Sequence, residues 1–145
     1  MLELDANFVP ARTWLGDVYP ATGRPAEALA EFTRAHQLAG ESPAIRAELA
    51  QAQAACGRTA EALLSLAQLE ALARTRYVEA SSIARVYGAL GRADSVITWL
   101  ERGRQQRDVR MVLLAVDPQF GSLRGDARFR KLLEEMNLPQ VEFRK

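Results

Sequence analysis

The chain has 145 residues, of which 48% are hydrophobic and 26% charged, a balance that suits one folded domain with a moderate core and excludes global disorder. Its 19 basic and 18 acidic side chains leave a net charge of +1, too little for attraction to nucleic acid or anionic lipid through bulk charge. A single cysteine (Cys56) and a single histidine (His36) exclude an intrachain disulfide and leave little material for a zinc site.

No apolar stretch approaches the roughly 20 residues that span a bilayer. The opening Met1-Leu2-Glu3-Leu4-Asp5 has no basic region followed by an apolar one, so it does not read as a signal peptide, and the expected compartment is the cytoplasm.

From residue 9 onward the chain repeats. Gly-Arg occurs at Gly23-Arg24, Gly57-Arg58 and Gly91-Arg92, at intervals of 34 residues. The same interval relates Leu15, Leu49 and Ile83. It also relates Gly16, Ala50 and Ala84; Ala28, Ala62 and Val96; and Phe32, Leu66 and Leu100. Tyr19 matches Tyr87, with Gln53 as the exception between them. Each unit reads as two amphipathic helices joined at the Gly-Arg turn, where glycine takes the left-handed conformation cheaply. The expected units are 9–42, 43–76 and 77–108. In the first, Pro20 sits inside the leading helix, where proline costs about 3 kcal/mol, so that helix should kink or end near Tyr19. Pro25 then opens the second helix. In the second unit, Leu63, Leu66 and Leu69 with Ala62 and Ala73 fall at helical spacing. The small residues of each unit let paired helices approach, and the large ones fill the space between turns.

Residues 109–145 break the period. Asp108 is expected to cap a short helix over Val109–Val116, which Asp117-Pro118 breaks. Phe120 and Leu123 anchor a compact connection. Asp126 caps a last helix whose apolar face is Phe129, Leu132, Leu133 and Met136. A stack of helical hairpins needs a cap, because its last unit otherwise shows an apolar face to water. The third unit offers Val96, Ile97, Trp99 and Leu100. The tail offers Val112, Leu113, Phe120, Leu123, Phe129, Leu132 and Leu133. The tail is therefore expected to fold back as a lid, with Phe129 among its most buried residues.

The first unit, with Leu15-Gly16, Tyr19, Gly23, Ala28, Phe32 and Ala35, resembles the tetratricopeptide repeat family position by position, and the likeness extends over about residues 9–107. Two positions depart from the pattern. Arg12 stands where the family has tryptophan, with Trp14 two residues later. Gly40 stands where the closing proline would fall, with Pro43 after it. Leu2–Phe8 resembles the last turn of a preceding unit, with Ala6 in place of proline, so 1–8 is expected to be a remnant of an earlier repeat. Its apolar edge is a candidate homodimer surface. The tail, from Asp117-Pro118-Gln119-Phe120 to Met136, looks like the C-terminus of bacterial tetratricopeptide regulatory proteins. The resemblance implies an all-α fold: a right-handed α-solenoid of three helical hairpins with a C-terminal helical cap. It also implies a role in binding another protein or peptide.

The residues offer little for catalysis. His36 reads as a surface side chain near a helix C-terminus, and Cys56 as a small packing residue before Gly57. Glu27, Glu31 and Glu61 read as solvated faces near helix starts. There is no phosphate loop, nucleotide fingerprint or nucleophile elbow, and no catalytic, cofactor or metal residue is assigned. Arg102, Arg104, Arg107 and Arg110 form the one basic stretch that could meet a polyanion. No aromatic platform is interleaved with it, so it reads as a solvated helix end and nucleic acid is disfavoured.

In the family the first helix of each unit lines a concave groove. By register the groove positions here are Thr13, Trp14 and Asp17, then Ala47, Glu48 and Gln51, then Ser81, Ser82 and Arg85. The lysines and asparagines that grip a chaperone's C-terminal carboxylate in part of the family are absent from these positions. Trp14 is either a groove aromatic or a residue packed between helices. Two functions follow from the resemblance. One is an interaction scaffold holding a peptide or helix. The other is a regulatory or self-association module at the C-terminus of a larger signalling or transcription-regulatory protein.

Overall fold

In the computed structural model the described residues are 23–138, with the backbone alone at 118 and 119. They contain six α-helices and no strand. The expected remnant at 1–8, the leading helix of the first unit with its Pro20 break, the groove positions Thr13, Trp14 and Asp17, and the N-terminal homodimer edge lie outside the described residues. The chain divides into two compact units, Met1–Val78 and Glu79–Lys145, and each is built around its own packing.

In the first unit, α1 (Pro25–Ala39) packs on α2 (Pro43–Ala55), which pairs with α3 (Thr59–Thr75). Pro25 and Pro43 both stand in the first turn of their helices, where a missing N–H leaves no bond unmade. Ser42 adds a side-chain cap by accepting from the Ile45 N–H at 3.4 Å. The core between α1 and α2 gathers Ala28, Leu29, Phe32, Leu49 and Ala52, with Cys56 packed against it in the role expected for it. His36, in the last turn of α1, is half-buried rather than a surface side chain.

The Gly-Arg turns are equivalent, as the period requires. Gly23, Gly57 and Gly91 have φ of 73°, 76° and 72°, in the left-handed region where a Cβ is penalised. At two of them the closing bonds are visible on both sides. The Arg58 N–H reaches back to the carbonyl of Gln53 at 2.8 Å, and the Arg92 N–H to that of Tyr87 at 3.0 Å. Gln53, the exception to the tyrosine pattern, therefore does the same backbone work as Tyr87. Its buried side chain accepts a hydrogen bond from the Ser65 hydroxyl at 3.0 Å.

The repeated small and large positions are buried as expected. Ala28, Ala62 and Val96 are buried, and so are Phe32, Leu66 and Leu100. Arg46 is the unanticipated member of this interior. It occupies the register position of Arg12 in the preceding unit, yet only 8% of it is exposed. Its guanidinium pairs with Glu41 at 2.6 Å and donates to the Gln68 side chain. A charge taken out of water needs such partners.

In the second unit, α4 (Ala80–Ala89) and α5 (Ala93–Gln106) form the third hairpin. The tail follows as a 3₁₀ segment at Val109–Leu113, a second at Pro118–Leu123, and α6 (Ala127–Glu135). Ala84, Val96 and Leu100 of the hairpin share one cluster with Met111, Leu114, Phe120, Leu123, Phe129, Leu132 and Leu133 of the tail. Phe129 is 1% exposed, and its ring centroid lies 6.2 Å from that of Phe120. Burying an aromatic side chain of this kind contributes about 1.5–3 kcal/mol. The tail thus lies against the hairpin as a lid would.

The first part of the tail departs from the sequence reading. The short helix expected over Val109–Val116 is a 3₁₀ segment that stops at Leu113, with Asp108 at its N-cap as expected. With three residues per turn, Met111 and Leu114 fall on the inner side. Val112 and Leu113, expected to face inward, are 63% and 54% exposed. Met111 has room because Gly103 carries no side chain. A Cβ built there would lie 2.8 Å from Met111 Sδ and 3.6 Å from Ala80 Cβ. In the earlier units the same register position holds Ala35 and Leu69, both buried. The third hairpin gives up a side chain where the tail inserts one.

Asp126 caps α6 as expected, accepting from the Arg128 N–H at 2.8 Å. The Arg128 guanidinium also donates to the Asp126 carboxylate and to Asp94 in the first turn of α5. The side-chain bond from Arg128 is the largest cause that lowers the Asp126 pKa from 3.8 to about 2, and Arg128 is raised in turn. Arg128 is exposed and Asp126 half-buried, so the pairing lies at the surface.

Candidate functional site

Of the groove positions within the described residues, Ala47, Gln51, Ser81 and Ser82 are buried, while Glu48 and Arg85 are half-buried. Ala47, Glu48 and Gln51 stand on α2 in the first unit; Ser81, Ser82 and Arg85 stand on α4 in the second. The α4 group is the one that the fold surrounds with chemistry.

A polar stripe runs along that part of α4. Asp108, 3% exposed, accepts from the Ser81 N–H at 2.9 Å through one carboxylate oxygen and from the Arg110 N–H at 2.9 Å through the other. It thereby caps the start of α4 and the first 3₁₀ segment together. The Ser82 hydroxyl donates to Glu79 at 3.4 Å, and Glu79 also pairs with Arg110 at 3.1 Å. One turn further along, Arg85 pairs with Asp117 at 3.2 Å. The Ser81 Oγ is buried without a hydrogen-bond partner among the described residues.

Beside this stripe lies a cleft of about 290 Å³. It is lined by Ser81 and Arg85 of α4 and by Arg110, Leu113, Leu114, Val116, Asp117 and Phe120 of the tail. Leu114 and Phe120 are buried at its base. Leu113 and Val116 stand half in solvent at its lip, next to the exposed Val109 and Val112. The size is at the lower limit of small-molecule pockets, which begin at about 300 Å³, and suits a side chain better than a cofactor. The cleft has no nucleophile–base pair. Among the described residues no group of three or more His, Cys, Asp or Glu side chains is placed to hold a metal ion.

Sequence reading named Ser81, Ser82 and Arg85, and it named Arg110 as part of a basic run. It missed that the tail supplies the facing wall, and it missed Glu79 as the shared partner of Ser82 and Arg110. The basic run is not one patch. Arg104 pairs with Glu101 at 3.0 Å, Arg102 lies over the Trp99 ring at 4.8 Å, and Arg107 ends α5 in the left-handed conformation. Gly103 was the available signal for tail docking: a glycine in a helix interior where two earlier units carry side chains.

No described helix is long and apolar enough to cross a membrane. Searches of curated proteins and of solved structures give no match. The model of the tetratricopeptide repeat family matches residues 21–81, from the first Gly-Arg turn into α4. That match agrees with the equivalent glycine turns and the buried small-and-large pattern, and it supports a tetratricopeptide repeat over residues 21–81.

Proposed function

We propose that the chain is a non-catalytic interaction module that holds a peptide or helix of a partner protein against the first helices of its repeats. Tetratricopeptide repeats generally serve protein–protein interaction, and the observation that carries the reading here is the 34-residue register itself, kept at Gly23, Gly57 and Gly91. That register assigns α2 and α4 to the helices that line the groove in the family. Glu48 on α2 and Arg85 on α4 are half-exposed polar positions, each able to meet a polar group of a peptide. Gln51 lies deeper on α2, and Ser81 and Ser82 lie deeper on α4. Thr13, Trp14 and Asp17 extend the same proposal to the first unit.

The test is selection from a displayed peptide library against the whole chain, followed by amide chemical-shift mapping with a selected peptide. Shifts should concentrate on Glu48 and Gln51 of α2 and on Ser81–Arg85 of α4. Selected peptides that perturb only second-helix residues such as Glu70 and Thr98 would refute the groove assignment. Self-association with no selected peptide would favour an assembly role instead.

A further inference from the structure

We draw no further inference here: the strongest candidate, the cleft between α4 and the tail with the exposed Val109, Val112, Leu113 and Val116 beside it, carries nothing, because Arg85 and Arg110 already pair with Asp117 and Glu79 and nothing in the structure shows what covers the apolar remainder.

Discussion

Replacing Gly103 by alanine tests whether the third hairpin was shaped to receive the tail. In a helix interior this change normally stabilises by about 1 kcal/mol, because glycine is the poorer helix former. Here the new methyl would stand 2.8 Å from Met111 Sδ, well inside van der Waals contact. Met111 is 1% exposed, so its side chain has little room to retreat. Overpacking of this kind costs about 1–3 kcal/mol. The two effects leave a net destabilisation of about 1 kcal/mol in the parent chain. In a Met111→Ala background the clash is gone, and Gly103→Ala should stabilise by about 1 kcal/mol. The double-mutant cycle should therefore show a coupling of about 1–3 kcal/mol between positions 103 and 111. Urea denaturation followed by Trp99 fluorescence in a Trp14→Phe background gives the four stabilities. If Gly103→Ala stabilises equally in both backgrounds, the glycine is not a receptor for Met111 and the reasoning fails.

Three further outcomes follow from named contacts. Asp108→Ala removes one carboxylate from two backbone N–H groups, each such charged bond contributing about 1.5–3 kcal/mol, so the variant should lose about 3 kcal/mol or more. Hydrogen exchange should lose protection first at the Ser81 and Arg110 amides, and unchanged protection there would contradict the double cap. Phe129→Ala should cost about 3–5 kcal/mol and open residues 114–126 to limited proteolysis; a variant as resistant as the parent would remove the capping role of the ring. For Asp126, the folded pKa of about 2 lies below the ordinary 3.8, so its contribution is present above about pH 3.8 and is lost as pH falls toward 2. Carboxyl NMR should place the midpoint near 2, and Arg128→Gln should return it toward the ordinary value.

The repeat was legible because its evidence is positional. A glycine at a fixed interval can satisfy the same left-handed turn each time, and the alternating small and large residues at Ala28, Ala62 and Val96 and at Phe32, Leu66 and Leu100 can only pack one way. The tail was legible in part. Asp126 and the face formed by Phe129, Leu132 and Leu133 fit an α-helix and form one. Val109–Val116 carries apolar residues at nearly every position, so the sequence does not distinguish a period of 3.6 from one of 3.0, and the reading chose the wrong inward residues. Arg46 escaped notice because an arginine on an amphipathic helix reads as surface, and its partners Glu41 and Gln68 stand five and 22 positions away. The cleft was half visible. Ser81 and Arg85 follow from the repeat register, whereas Leu114, Val116 and Phe120 reach them only through a connection whose path no local signal fixes.

The bond from Asp108 to the Ser81 amide also bears on the order in which the molecule is made. The two residues are 27 positions apart, and the acceptor is synthesised last. While the chain grows, α4 can begin to wind as soon as Ala80–Ala89 has emerged, but the N–H group of Ser81 has no carboxylate to meet until the tail arrives. The same residue then starts the first 3₁₀ segment, so the completion of the hairpin and the nucleation of its lid are a single event. A nascent chain stalled before residue 108 would lack this cap on α4 and would leave the apolar face of the hairpin uncovered by the tail.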